Sequence, residues 1–413
     1  MTSVSPAITQ EEFAPAPGER VPSSEGTPRP WLAQVMFDML GRTGARAGLA
    51  WIVVVGFCAA FAPFLANSYP YLVKIDGKWS SPLARHLTPT DVTILVVLAA
   101  AVPLLVLRPL NFMARLSILM VVTVITIAAT LWLVRPPQTN IYEEYRQARL
   151  AGQVERVLNA PIPFSPGDHL RDQFDPDHPH PWPAFTPRHP FGTDMFGADL
   201  LSHMVHACRI AMAIGFIATA IEFVIGVVIG GLMGYFVGVI DLIGMRIVEI
   251  FGAIPTIYLL LTFVAVFERN IYLIMVIIGI TGWVDNARFV RAEFLRLRNQ
   301  DFVHAATAAG LPLYSVLFRH LLPNALAPLL VSVSFGVASA ILYESTLSFL
   351  GLGVPVGDPS WGQLLNQAVS SGGVFYWWLA VFPGVAIFLT VLSYNLVGEA
   401  FRDATDPRLR GVK

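Results

Sequence analysis

Six of the nine histidines in this chain fall between His169 and His206, two of them inside the run DPDHPHP. Neutral imidazoles among carboxylates are ligands for transition metals, so a membrane-embedded, metal-dependent enzyme is one chemistry such a cluster could serve. The spacing argues against it. His178 and His180 stand two apart in a proline-rich stretch, not four apart on one helix face. No G-x-x-x-x-G-K-[ST] run is present to cradle a phosphate, and no nucleophile, base and acid stand at a workable spacing. The expectation is a chain that is not an enzyme, holds no metal or cofactor of its own and does not hydrolyse ATP itself. Two acids inside apolar runs, Glu222 and Glu344, remain as chemistry-bearing groups. A charge at mid-bilayer costs roughly 2.5–3.5 kcal/mol on insertion scales, so Glu222 must face the protein interior, a partner or a water-filled path. It is read either as a pathway residue or as a protonated or hydrogen-bonded structural acid.

Composition says which elements must position these groups. Of 413 residues, 55% are hydrophobic and 13% are charged, with a mean hydropathy of +0.61. Average soluble domains carry about 25% charged residues, so this is an integral membrane protein. No basic block suggests nucleic acid. Cys58 and Cys208 lie in or beside apolar runs and read as packed thiols. Eight apolar runs are candidate spans: Gly48 to Ala66, then near 92–110, 116–134, 210–236, 247–267, 270–288, 323–345 and 376–399. Placing the N-terminus in the cytoplasm puts Arg42, Arg46, Arg108, Arg115, Arg246, Arg291, Arg296, Arg298, Arg319, Arg402, Arg408, Arg410 and Lys413 on the inner side, as the positive-inside rule asks.

The expected organisation is therefore a disordered cytoplasmic tail at 1–30 and a first span plus inserted hairpin at 31–134. A periplasmic segment follows at 135–209, with a helical-looking piece NIYEEYRQARLAGQVERVLN. A membrane core occupies 210–405, with a loop near 290–323, and a cytoplasmic tail closes the chain at 406–413. Gly226, Gly230, Gly234 and Gly238 recur every four residues and let helix backbones approach closely. Arg246 and Glu249 are spaced to pair on one helix face.

The stretch 301–325, DFVHAATAAGLPLYSVLFRHLLPNA, lies between two apolar runs and on the inner side by the charge rule. Asp301 can N-cap a short helix, Gly310 can end it in a left-handed conformation, and Pro312 suits the first turn of the next helix. A helix of about 12 Å is marginal alone in water and needs a surface to dock on. A linker tucked against the bundle and a docking site for a cytoplasmic partner fit that pattern equally well.

The run Val290–Val331 resembles the cytoplasmic "EAA" loop of bacterial ABC-importer permeases. Ala305, Ala306, Gly310 and Leu322-Pro323 match its spacing; His304 replaces the motif glutamate, and Arg319-His320 resembles the dipeptide and oligopeptide branch. In FGTDMFGADLLSHMVHACRIAM, the residues Gly192, Thr193, Asp194, Gly197, Asp199, Ser202 and Arg209 match a second family pattern, while Ala198, His203, Ala207 and Ala211 do not. ESTLSFLGLGVPVGDPSWGQLL and RDATDPRLRG resemble the dipeptide, oligopeptide and nickel branch closely, and the family carries a glutamate at Glu344. The hairpin at 92–134 and the long outer segment depart from the family pattern.

The resemblance implies an all-α polytopic fold, a type I permease-like bundle of about six core helices with an inserted hairpin and a periplasmic insertion. It implies a bacterial inner-membrane protein with both termini cytoplasmic, imported di- or oligopeptides as cargo, or nickel or another small solute. Implied partners are a second homologous permease, two ATP-binding subunits holding ATP and Mg, a periplasmic or lipid-anchored solute-binding protein, and membrane lipid. It places ATPase coupling on Asp301, His304, Ala305, Ala306, Gly310, Arg319 and Pro323, and makes Glu344 a candidate gate or inter-permease contact. A channel that needs no ATPase is the competing reading from another class.

Overall fold

The structure, a computed structural model, describes residues 31–106, 112–137, 139–173, 181–355, 357–370 and 374–405. The expected tails at 1–30 and 406–413, with Arg408, Arg410 and Lys413, lie outside these residues, as do Arg108, His178 and His180.

In chain order the helices and strands are α1 (Trp31–Leu40), α2 (Thr43–Leu65), β1 (Leu72–Ile75), β2 (Lys78–Ser80), α3 (Pro82–His86), α4 (Pro89–Val106), α5 (Phe112–Leu133), α6 (Glu144–Leu150) and β3 (Val154–Leu158). Then come α7 (Leu200–Phe236), α8 (Val239–Ala253), α9 (Thr256–Val266), α10 (Ile271–Leu297), α11 (Asp301–Ala308), α12 (Leu313–Ser315), α13 (Leu322–Phe349), α14 (Trp361–Ser370) and α15 (Trp377–Thr405). Among the described residues, six helices are long and apolar enough to cross a membrane: α2, α5, α7, α10, α13 and α15. The protein is a multi-pass, mostly helical membrane protein.

The bundle is assembled around α7 and α10, its most extensive helix pair. Small residues cause that closeness. A Cβ on Gly226 would lie 2.5 Å from Asn286 Cβ, one on Gly230 2.4 Å from the Ala287 carbonyl oxygen, and one on Gly234 2.6 Å from the Arg291 carbonyl oxygen. Gly238, expected on the same stripe, is not on it. α7 ends at Phe236, and Val237 and Gly238 turn the chain with φ of 54° and 63°. Helices α2, α13 and α15 complete the core against α7.

The run 247–267 was expected as one span. It is two helices, α8 and α9, bent by 80° at Ile254–Pro255. Proline cannot donate to a helical ladder, and it pushes the residue before it out of helical geometry; Ile254 is extended at φ −94°, ψ 121°.

The inserted hairpin α4–α5 leans on the core through α2. It is pinned by a polar contact: Arg209 of α7 donates to the Ala59 carbonyl at 3.1 Å and pairs with Asp91 in the first turn of α4.

One departure from all-helical structure sits at the end of the bundle where α2 stops and α7 starts. There β1 pairs antiparallel with both β2 and β3. Asp76-Gly77 makes the two-residue turn, both with positive φ. The piece expected to be helical from 140 to 159 is helix only over α6 and then strand β3, because Gly152 takes φ +74° and stops the helix. Arg146 of α6 binds Asp168 at 2.5 Å and Asp172 at 2.7 Å, and Ser68 donates to Asp168 at 2.5 Å. These contacts join Ser68, α6 and residues 168–172 into one layer at that end of the bundle.

Two outcomes follow. Gly230→Ala should destabilise the protein by about 1–3 kcal/mol, since the added methyl overpacks a full contact. Gly56→Ala, whose Cβ would meet only Met212 Cε at 3.9 Å, should be neutral or slightly stabilising in its helix; thermal unfolding in detergent compares them. The second outcome concerns pH. The Arg146 guanidinium holds the Asp172 carboxyl below the ordinary carboxylate value. Its stabilisation is therefore full above about pH 4, the unfolded value, and is lost as pH falls through the lower folded value. Amide exchange over 154–172 should accelerate in that acid range, and Arg146→Met should exchange fast already at neutral pH.

Candidate functional site

The segment joining α10 to α13 begins where Gln300 takes extended geometry and α11 starts at Asp301. Asp301, expected as the cap, is the first helical residue; the cap position is Gln300, which makes no side-chain capping bond. A carboxylate in the first turn still complements the helix dipole.

The other end follows the expected glycine termination in full detail. Gly310 takes φ +73°, its N–H donates to the Thr307 carbonyl at 3.0 Å, and the Leu311 N–H reaches the Ala306 carbonyl at 3.2 Å. That pair of bonds is the Schellman arrangement, which satisfies carbonyls the helix leaves open. Pro312 is the cap of α12 rather than its first residue. The chain then makes a π-helical turn, Val316–Leu321, before α13. Pro323 lies in the next turn and has no N–H to give, so the ladder loosens just ahead of it.

One face of α11 holds it to the bundle. Val303 and Ala306, three apart, are buried with Val290, Phe294, Leu297, Val316 and Leu321. The opposite face is open: Asp301, Phe302, His304, Ala305, Gly310, Arg319 and Pro323 are exposed. Nothing lies within 4 Å of where a Gly310 Cβ would be. Leu311, Leu313, Tyr314 and Phe318 add exposed apolar surface beside it. A short, capped, small-residue ridge thus stands on a rigid base with an unfilled face. The base is tied to α7, since Arg298 donates to the Tyr235 carbonyl at 3.0 Å.

The remaining sequence candidates sit elsewhere. Glu222 faces α10, where Asn286 Nδ2 donates to it at 2.9 Å, next to Gly282. It lies in the tight α7–α10 contact, not near α11. Glu344 is 2% exposed and wholly enclosed. Ser348 and Ser360 hydroxyls donate to it at 2.7 Å and Ser345 at 3.4 Å. Ser348 Oγ in turn accepts the Val354 N–H at 3.1 Å, and Ser360 Oγ the Gly362 N–H at 3.1 Å. The carboxylate therefore clamps the end of α13 to the following loop and to α14, and it presents no surface to another chain. Arg246 and Glu249 pair at 2.5 Å as the spacing predicts.

Sequence reading assigned no role to one polar knot. Asp199 caps α7, accepting the Ser202 N–H at 2.8 Å, and its other oxygen meets His189 Nδ1 at 2.7 Å, both residues buried. Asp194 accepts the N–H groups of Phe196 and Ala198. The signal was in the GTD…GAD spacing, which is that of a turn followed by a helix cap. Among the described residues no three His, Cys, Asp or Glu side chains converge as a metal site.

A family model described as "Binding-protein-dependent transport system inner membrane component" matches residues 226–411. The inner membrane ABC transporter permease protein YejE of Escherichia coli (strain K12) is 32% identical over 358 residues, 86% of this chain and 92% of that protein. This chain belongs to the ABC importer permease family. The oligopeptide permease OppC of Haemophilus influenzae is 38% identical over 55% of this chain and 73% of its own length. A solved inward-facing MetNI methionine ABC transporter aligns over 49% of this chain and 97% of that one, at 20% identity and TM-score 0.39.

The buried clamp gives a direct test. Glu344→Ala strands two buried serine hydroxyls and should cost about 2–4 kcal/mol. Ser345→Ala, which loses only the longest contact, should cost well under half of that in the same thermal unfolding assay.

Proposed function

We propose that this permease forms half of a translocation path with a second, homologous permease, and that it is driven by two ATP-binding subunits, one of which docks on α11. The observation that carries this reading is the exposed face of α11: His304, Ala305 and Gly310 stand over a base that Val303 and Ala306 anchor. Small residues let a groove approach closely, and the anchoring face transmits a push into α10 and α13. In this reading the termini and α11 are cytoplasmic, as the arginine placement supports, and the outer layer faces a solute-binding protein. ATP and Mg reside in the partner subunits. Peptides are the proposed cargo, supported by the oligopeptide and dipeptide permeases among the relatives.

Glu222 does not belong to the lever. Bonded to Asn286 inside the α7–α10 contact, it serves the bundle's packing in this reading.

Gly310→Arg tests the docking. The position is open, so an arginine fits the chain itself and costs only about 1–2 kcal/mol for a side chain at positive φ. The variant should insert and fold, yet lose peptide uptake and peptide-stimulated ATP hydrolysis at least tenfold. Gly310→Asn, whose side chain tolerates that backbone, should keep both within a few-fold. Normal uptake by Gly310→Arg would sink the reading.

A further inference from the structure

The middle of α10 carries charge on an open face. α10 runs 27 residues, from the turn at 268–270 to the base of α11. At helical rise Asp285 stands about 21 Å from its start and about 18 Å from its end. A bilayer core is about 30 Å thick, so wherever that core falls along this helix, Asp285 lies inside it. Its side chain is nevertheless 92% exposed, and it meets Arg288, one turn on and itself 45% exposed, at 3.4 Å. Among the described residues the two pair only with each other. Charged side chains at such depth face a water-filled cavity or pair inside the bundle, not lipid. Glu222 takes the second course through Asn286. Asp285 and Arg288 are open.

A second observation, from another helix, points to the same face. A Cβ on Gly252 would lie 2.6 Å from Arg288 Nη2, so the guanidinium reaches the last turn of α8. There the pair α8–α9 breaks. Ile254 is extended, Pro255 has no N–H to give, and Gly252, Ala253, Ile254 and Pro255 are all exposed. The last carbonyls of a helix have no partner within it. Such backbone at membrane depth is tolerated only where protein encloses it or where it lines a water-filled cavity. The apolar exposed residues of α10 stand apart from this face. Tyr272, Val276 and Ile280 recur every four residues, and at 3.6 residues per turn Ile280 lies about 140° around the helix from Asp285.

We propose that Asp285, Arg288 and the α8–α9 break line the water-filled path through the membrane, and that Asp285 makes this path favour cargo with a cationic end, such as the free α-ammonium of a peptide. The path and the class of cargo rest on the importer reading above; the face that lines the path and its preference for a cation are additional to it. Arg288 sits against the carbonyl end of α8, where a cation is favoured. Asp285 is the more open of the two, so its carboxylate leads into the water. A fixed charge in a narrow cleft with low-dielectric walls concentrates its counter-ion.

Cysteine accessibility tests this without requiring transport. The chain is assembled with its partner subunits in membrane vesicles, in a Cys58→Ser, Cys208→Ser background, with water-soluble methanethiosulfonate reagents present on both sides. Asp285→Cys should react at least tenfold faster than Ile280→Cys. Arg288→Cys should also react fast and reports on the same face where Asp285→Cys fails to assemble. Adding Asp285→Asn to Arg288→Cys should lower the ratio of its rates with the cationic and anionic reagents at least threefold. In uptake, Asp285→Asn should slow trialanine at least tenfold and leave N-acetyl-trialanine within twofold. Labelling of both positions no faster than Ile280→Cys overturns the proposal and makes this face a dry contact with the second permease. An unchanged reagent ratio, or equal loss of both peptides, overturns the cation preference. Slow labelling would leave coupling through α11 standing, and normal uptake by Gly310→Arg would sink that coupling without altering these labelling rates.

Discussion

The rest of the structure depends on backbone contact between α7 and α10. Inside a bilayer, apolar side chains gain little by leaving lipid for protein, so helix association relies on close packing and polar contacts. Gly226, Gly230 and Gly234 supply the first, with the backbone and side chains of α10 filling the space their missing Cβ atoms leave. Glu222–Asn286 supplies the second at the same seam. α7 is 37 residues long, about 55 Å at helical rise. It therefore reaches from the layer of β1, β2 and β3 at its start to the base of α11 at its end, as one continuous helix.

Buried polar side chains fasten the other elements to that rod. Asp199 and His189 fix where α7 begins, Arg209 and Asp91 attach the hairpin, and Glu344 gathers three serines to close the loop before α14. Each is a group that would be costly if left unbonded, so each tolerates one arrangement of its surroundings and specifies it. Residues that look chemically active in the sequence are here mostly fasteners. The exception is the one with a face left over, the ridge of α11.

Much of this was legible beforehand. The apolar runs, the glycine stripe and the glycine-terminated short helix have local causes: hydropathy, residue size and φ preference. The readings that failed failed where a local signal was ambiguous. Asp301 and Gln300 are neighbours, and only the backbone geometry says which precedes the first helical turn. The polar piece after residue 140 has helical composition throughout, but β1 waits across space to pair with Val154–Leu158. The hairpin Ile75-Asp76-Gly77-Lys78 carried a strong turn signal, yet its strands are too short to stand without β3, which lies about 80 residues away.

By itself the sequence determined that this is a multi-pass membrane protein, that α11 is short and stopped at Gly310, and that its family is that of importer permeases. The first two follow from composition and from spacing along a few turns; the family follows from the resemblance of its longer motifs to those of known permeases. Only the tertiary structure decided which face of α11 is anchored and which is open, that Glu344 is enclosed, and that Val154–Leu158 pairs with β1. Each depends on residues 60 or more positions apart, or on which side of a helix its neighbours cover. Burial and pairing are properties of the assembled bundle, and no window of sequence contains them.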